Sequence, residues 1–287
     1  MPRHNALSIL ALVSFVCLAS PVGLPTAMGQ QASRPVVSGG AAAGGTDRAT
    51  RADAIEHLPL DRLTAEAQQR IRRIVHSPTL FRRLPTQQIE CDPEMFVFLV
   101  RHPEVMVGIW DEMGITKVKT QRIAPFQLQA NDHAGTVCHI DLVYGDQQTH
   151  LYYASGEYSG PLAAVPVSGK AVFVLRSETQ TDPSGQAVVV GTLDCFIQLD
   201  NLGADLIART LSGLIGRTAD NNFAESAKFI SQISRAAASN PRGMEELAVR
   251  LPQVLPEIRQ RFAEKSRAVY LRERRATAAT ATAASAK

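Results

Sequence analysis

The chain has 287 residues, of which 45% are hydrophobic and 20% are charged, and its formal net charge is +3. This composition is typical of a soluble globular protein with one domain or one domain plus helical attachments. A net charge this small for a chain of this length does not by itself favour an acidic or a basic partner. The basic character is local, because residues 257–287 carry eight Lys or Arg and three Glu.

Residues 1–29 have the layout of a secretory signal peptide. Arg3 precedes an apolar run at 6–19, and small residues lead to a preferred cleavage site between Gly29 and Gln30. The alternative is an uncleaved membrane anchor, although the run is shorter than the ~20 residues that a spanning helix needs. The pattern predicts an exported protein, periplasmic or secreted. Residues 30–56, rich in Gly and Ala, are predicted to be a flexible linker.

The next segment, 57–85, is predicted to be helical, with one helix from Leu60 to Val75 that ends before Pro78. A short strand is predicted at 87–91. Asp92 and Pro93 then provide the N-cap and first-turn proline of a helix, and Pro103 separates it from a second one.

From Ile115 the apolar period changes to two, which favours strands with antiparallel neighbours. The predicted strands are 116–123, 126–130, 136–144, 149–154, 170–177 and 187–199. A helical repeat then runs from Leu202 to Ala238, as one bent helix or as two abutting ones. Further helices are predicted within 241–275, and 276–287 is predicted to be a disordered tail.

This order of one strand, two helices, six strands and a long helix resembles the START-like (helix-grip, polyketide cyclase/lipid-transfer) superfamily, over residues 86–240. The resemblance implies an α+β fold in which a bent antiparallel sheet of about seven strands wraps a long C-terminal helix, with extra flanking helices. It also implies an apolar cavity between sheet and helix. The candidate lining residues are Trp110, Tyr152, Phe173, Phe196, Leu211 and Ile215.

The resemblance further places the first strand beside the last, which would bring Cys91 and Cys195 onto neighbouring strands. There they could form a disulfide or remain two buried thiols. No cysteine has a CxxC partner or metal-ligand spacing, so no metal or cofactor is predicted.

Four polar residues are candidates for chemistry. His139 and Asp141 share one face of a predicted strand and could form an acid/base pair or act as two metal ligands, and His150 on the following strand could approach them. Asp194 lies in a partly apolar strand, where its pKa could be raised. The alternative is that these groups are exposed or paired. The sequence has no nucleophile elbow, dinucleotide fingerprint or P-loop, so no catalytic residue is assigned.

These patterns favour a non-enzymatic exported domain that binds an apolar small molecule or lipid. The alternatives are a structural or protein-interaction module without ligand and, third, a cyclase or hydrolase. The basic helix at 256–275 could touch an anionic membrane surface through its Arg and Lys residues and through Phe262, Val269, Tyr270 and Leu271. Nucleic acid is not an expected partner of an exported protein.

Overall fold

A computed structural model describes residues 44–160, 166–183, 185–200 and 204–285, with side chains described throughout except at 204–216 and 279–285. The predicted signal peptide and most of the predicted linker lie outside these residues. The helices are α1 (Arg48–Glu56), α2 (Ala65–His76), α3 (Pro93–Arg101), α4 (Pro103–Glu112), α5 (Ala204–Ser239), α6 (Pro241–Val249) and α7 (Pro256–Ser285). The strands are β1 (Leu80–Arg83), β2 (Gln87–Glu90), β3 (Lys119–Ala124), β4 (Gln127–Asn131), β5 (Thr136–Gly145), β6 (Thr149–Tyr158), β7 (Val167–Thr181) and β8 (Ala187–Leu199).

The described strands form a single bent antiparallel sheet in the order β1-β8-β7-β6-β5-β4-β3, and β2 also pairs with β8. The chain therefore has the predicted α+β class. Strands β3 to β8 follow one another through short connections, as the period-two pattern predicted. Strands β1 and β2 both pair with β8, so the first strands and the last strand lie together at the edge of the sheet opposite β3.

Strand β1 was not predicted. It is only four residues long and ends in two arginines, so its composition is not that of a buried strand. Both arginines have distant partners: Arg82 binds Asp220 of α5, and Arg83 binds Asp194, its neighbour on β8.

The end of the predicted flexible linker is also different, because residues 48–56 form helix α1. Asp47 caps this helix by accepting a hydrogen bond from the Thr50 amide at 3.0 Å. Ala54 of this helix is buried, and Gly45 pairs with Arg83 through two backbone hydrogen bonds. The segment therefore packs against β1.

Of the two alternatives for this segment, one helix is found: α5 is continuous over 36 residues, and Asn222 lies buried within it. Helix α7 also continues through the Ala-rich segment from 276 to 285, where a disordered tail was predicted. Alanine has the highest helix propensity of all residues, which accounts for this extension.

The sheet is covered on both faces. The inner face, defined by Ile140, Tyr152, Leu175 and Leu193, belongs to the main core with α3, α4, α5, α6 and α7. The outer face, defined by Leu151, Tyr153, Val172, Val174 and Phe196, packs under α1 and α2. Alternation along each strand separates the two cores.

Candidate apolar ligand site

A partly enclosed cavity of about 80 Å³ lies between the inner face of the sheet and helices α3, α4 and α5. Its walls are almost entirely apolar. The lining residues are Ile89, Phe96, Leu99, Val100, Pro103, Met106, Ile140, Tyr152, Leu175, Leu193, Phe223, Ser226, Ala227 and Ile230. At ~10–15 Å³ for each water-sized group, the space holds on the order of six such groups.

The sheet supplies the floor of this cavity through its register. Leu175 on β7 lies directly opposite Leu193 on β8, and Tyr152 follows in the adjacent inward-facing row. Because side chains alternate between faces along a strand, these residues all point toward α5.

The helices supply the walls. Asp92 begins α3 by accepting hydrogen bonds from the Glu94 and Met95 amides, each at 3.0 Å, and Pro93 occupies the first turn. This start places Phe96, Leu99 and Val100 over the sheet. On α5, Phe223, Ala227 and Ile230 repeat at the three- and four-residue steps of a single helical face.

Two hydroxyl side chains line the cavity, and they differ in their hydrogen bonding. The Tyr152 hydroxyl donates to the Val100 carbonyl oxygen at 2.7 Å. Burial raises the pKa of this phenol above its usual range, so it remains protonated. The Ser226 Oγ is buried and has no hydrogen-bond partner among the described residues.

A polar cluster borders the cavity at the end of α3. His150 continues the inward-facing row formed by Leu193 and Leu175, and it is fully buried. The Arg101 Nε lies 3.2 Å from the His150 Nε2, and His150 Nδ1 has no partner among the described residues. Burial, aided by the positive charge of Arg101, lowers the pKa of His150 to about 4, so the imidazole is neutral at physiological pH.

A second buried group, Glu104, follows the lining residue Pro103. Its carboxylate accepts two hydrogen bonds from Arg122, at 2.7 and 2.8 Å, and lies 3.4 Å from His102. Burial alone would raise the pKa of Glu104, but the hydrogen bonds from His102 and Arg122 outweigh it and hold the pKa below its usual range. This ion pair fixes the junction between α3 and α4 at the edge of the cavity.

Of the six predicted lining residues, Tyr152 lines the cavity, whereas Trp110, Phe173 and Phe196 are not among its lining residues. Trp110 and Phe173 are buried in the main core, and Trp110 packs on Phe229 with ring centroids 5.1 Å apart. Phe196 lies on the outer face, 4.8 Å from the Phe81 ring, so its assignment to the cavity is wrong. Leu211 and Ile215 belong to α5, but their side chains lie outside those described.

The predicted group of His139, Asp141 and His150 does not come together. His139 and Asp141 share the outer face, where His139 is exposed and Asp141 accepts a hydrogen bond from Arg70 at 3.0 Å. His150 is buried on the inner face. Within the described part of the chain, no three His, Cys, Asp or Glu residues are arranged to hold a metal ion.

Asp194 is fully buried on the outer face and belongs to an ion-pair network. It accepts hydrogen bonds from the Arg83 side chain at 2.6 and 2.9 Å and from Arg176 at 3.1 Å. Asp53 of α1 contacts the same two arginines from above. The Asp194 carboxylate is therefore part of an ion-pair network on the outer face of the sheet, away from the cavity.

Cys91, Cys138 and Cys195 are buried, and none of the three is part of a disulfide bond. Strand β2 does pair with β8, but Glu90 lies opposite Val188, and Cys195 lies opposite Arg82 of β1. Cys91 and Cys195 are therefore separated by on the order of 20 Å along the strand, which excludes the disulfide considered from the sequence.

The basic helix α7 turns much of its apolar surface and charge toward the domain. Phe262 and Val269 are buried, whereas Leu271 is exposed and Tyr270 is half-buried. Arg272 forms two hydrogen bonds with Asp92, and Lys265 and Arg267 pair with Glu94 and Glu245. None of the described helices combines the length and apolarity needed to cross a bilayer.

No family model and no curated protein matches the chain. Among solved structures, a crystal structure of a conserved protein from Geobacillus kaustophilus matches at a TM-score of 0.34 and 12% sequence identity, over 50% of this chain and 93% of that one. A similarity at this level carries no argument about function.

Proposed function

We propose that the protein is an exported, non-enzymatic START-like domain that binds an apolar small molecule between its sheet and helix α5. The observation that carries the proposal is the apolar cavity at this place, with a lining that includes Phe96, Leu175 and Phe223. Binding pockets are typically concave and apolar, with a few polar groups that orient the ligand.

The proposed helix-grip arrangement is supported by the order of elements. A short strand, two helices, a six-strand meander and the long helix α5 follow one another, and β2 pairs with β8. In that arrangement α5 lies in the concave side of the bent sheet. Its apolar face, through Phe223, Ala227 and Ile230, forms one wall of the cavity.

The size of the cavity narrows the class of ligand. A pocket for a drug-sized molecule has roughly 300–1,000 Å³, whereas this cavity has about 80 Å³ among the described residues. We therefore infer that the ligand, or the part of it that enters here, is a short branched or cyclic apolar group.

The non-enzymatic part of the proposal is supported by the surroundings of the candidate catalytic groups. His139 is exposed, whereas Asp141 and Asp194 are engaged by arginines away from the cavity. Export is supported by the sequence of residues 1–29, and N-terminal sequencing of the mature protein tests it. A first residue at Gln30 is the expected result.

Methylcyclohexane, an apolar ring compound of suitable size, tests binding directly. We expect the methyl resonances of Ile89, Ile140 and Ile230 to shift saturably when this compound is added. The Ala227→Leu variant should lose this response because the added side chain fills the cavity. Ala224→Leu, a half-buried position on the same helix outside the cavity, should retain it. The absence of a saturable shift in the wild-type protein would contradict the proposal.

A second candidate function, a protein-interaction module, is favoured by one observation. Ile123 and Phe126, near the turn between β3 and β4, are 48% and 65% exposed, and β3 is an edge strand. Exposed apolar side chains beside an open strand edge are typical of interaction surfaces. An oligomer by light scattering that Phe126→Ser dissociates would favour this function over ligand binding.

A further inference from the structure

Serine 226 is an unusual member of the cavity wall. It is 7% exposed and lies on the same turn of α5 as Phe223 and Ala227, and its hydroxyl has no hydrogen-bond partner among the described residues. A buried hydroxyl without a partner costs free energy, since it has lost its bonds to water. Most such groups in folded proteins are satisfied.

The other buried serines of the helices have hydrogen-bond partners, so the missing bond is specific to this position; Ser234 on α5, for example, accepts a hydrogen bond from the Asp92 amide at 2.9 Å. Ser231, also on α5, donates to the Ala227 carbonyl oxygen at 3.2 Å, and Ser266 on α7 donates to the Phe262 carbonyl oxygen at 2.9 Å. A buried helical serine commonly donates to the carbonyl four residues earlier. Ser226 has no such bond and instead lines the cavity.

The remaining polar atoms at the cavity are engaged or lie at its border. The Tyr152 hydroxyl already donates to Val100, and His150, with its unpartnered Nδ1, adjoins the lining residues without being one of them. A polar atom on a ligand inside the cavity would therefore meet the Ser226 hydroxyl as an unused donor and acceptor.

We propose that the ligand of this cavity is an apolar molecule bearing one hydroxyl or carbonyl group, and that Ser226 recognises this group by a hydrogen bond. This inference rests on the proposed function, and it adds the class of ligand. A purely hydrocarbon ligand leaves the serine unsatisfied, whereas an alcohol or ketone of the same shape satisfies it. The site therefore discriminates between the two.

Cyclohexanol and methylcyclohexane test the inference because they have nearly the same shape, and the hydroxyl group of the first takes the place of the methyl group of the second. Dissociation constants for both are obtained from the methyl resonances of Ile89, Ile140 and Ile230. In Ser226→Ala, we expect the affinity for cyclohexanol relative to that for methylcyclohexane to fall about 3- to 10-fold, the range for one net hydrogen bond. Ser226→Cys has a weaker hydrogen-bonding group of similar size, so its relative affinity for cyclohexanol should lie between those of the wild-type protein and Ser226→Ala.

Ser231→Ala is the matched control, since it removes a buried hydroxyl that already has a partner on the same helix. It should leave the relative affinity unchanged. If Ser226→Ala also leaves it unchanged while methylcyclohexane still binds, the role of Ser226 is overturned and apolar binding stands. If neither compound binds the wild-type protein, both the ligand class and the proposed function are overturned.

Discussion

Tyr152 and Ser226 face one cavity from opposite sides, from the sheet and from helix α5, and only one of their hydroxyl groups is satisfied. Tyr152 donates to the Val100 carbonyl oxygen at 2.7 Å, whereas Ser226 Oγ has no partner among the described residues. The tyrosine therefore fixes α3 on the sheet. The serine is available to a bound molecule at the expense of stability in the empty protein.

The first prediction concerns this loss of stability. Ser226→Ala removes a buried, unpartnered hydroxyl, and we expect it to raise the free energy of unfolding of the ligand-free protein by about 1 kcal/mol relative to Ser231→Ala. Both substitutions change helix propensity equally, so the comparison isolates the hydrogen-bonding state. Urea unfolding measures both variants. A Ser226→Ala protein less stable than Ser231→Ala contradicts the account.

The outer-face ion-pair network gives the second prediction. Arg83→Met leaves the fully buried Asp194 without its two-pronged partner, and we expect a loss of about 3 kcal/mol in unfolding free energy. Arg235→Met is the matched control because it breaks an exposed pair with Glu90, and the expected loss is below about 1 kcal/mol. Equal losses in denaturant unfolding would show that Asp194 does not depend on Arg83.

The third prediction concerns pH. His150 has a pKa of about 4 in the folded protein and an ordinary value of 6.5, so the unfolded chain binds the additional proton between these values. Stability from this group is therefore complete above about pH 6.5 and is lost as the pH falls toward 4. The loss is on the order of 3 kcal/mol.

His150→Leu should remove this part of the pH dependence, because leucine does not titrate and continues the row of Leu175 and Leu193. His139→Leu, at an exposed position on the other face, is the control and should keep the wild-type slope. The measurement is unfolding free energy from pH 4 to 7. A slope that persists in His150→Leu contradicts the assignment to this residue.

The fourth prediction concerns the thiols. Burial raises the pKa of Cys91 and of Cys138 to about 12, and Cys195 is equally buried. We expect all three to resist alkylation in the folded protein and to react fully after denaturation without a reducing agent. Mass spectrometry of the alkylated protein counts the modified residues. A Cys91–Cys195 crosslink in the unreduced sample would contradict the strand register.

Elements with a sustained period were predictable from the sequence. The bounds of β8, Ala187–Leu199, agree with the alternation, and α5 agrees with its three- and four-residue repeat. Strand β1 could not be predicted, because Arg82 and Arg83 are acceptable there only through Asp220 and Asp194, more than a hundred residues away. Its stability depends on distant pairing, which no local pattern contains.

The cavity could be predicted only in part, because its position also depends on contacts between distant elements. The repeat on α5 identifies Phe223, Ala227 and Ile230 as an apolar face, but it does not show where that face leaves a gap. Phe173 and Leu175 point to the same side of β7, yet only Leu175 lines the cavity. The difference of two residues depends on how α3 and α5 pack over the sheet. The missing bond of Ser226 depends on the same packing.

The most direct test is native mass spectrometry of the mature protein isolated from its exported location, followed by denaturation, organic extraction and identification of the released molecule. We predict a bound apolar compound with one hydroxyl or carbonyl group, which is retained in Ala224→Leu and lost in Ala227→Leu. Protein that carries no compound, and that takes none up from an extract of the cells that produce it, would contradict the proposed ligand-binding function.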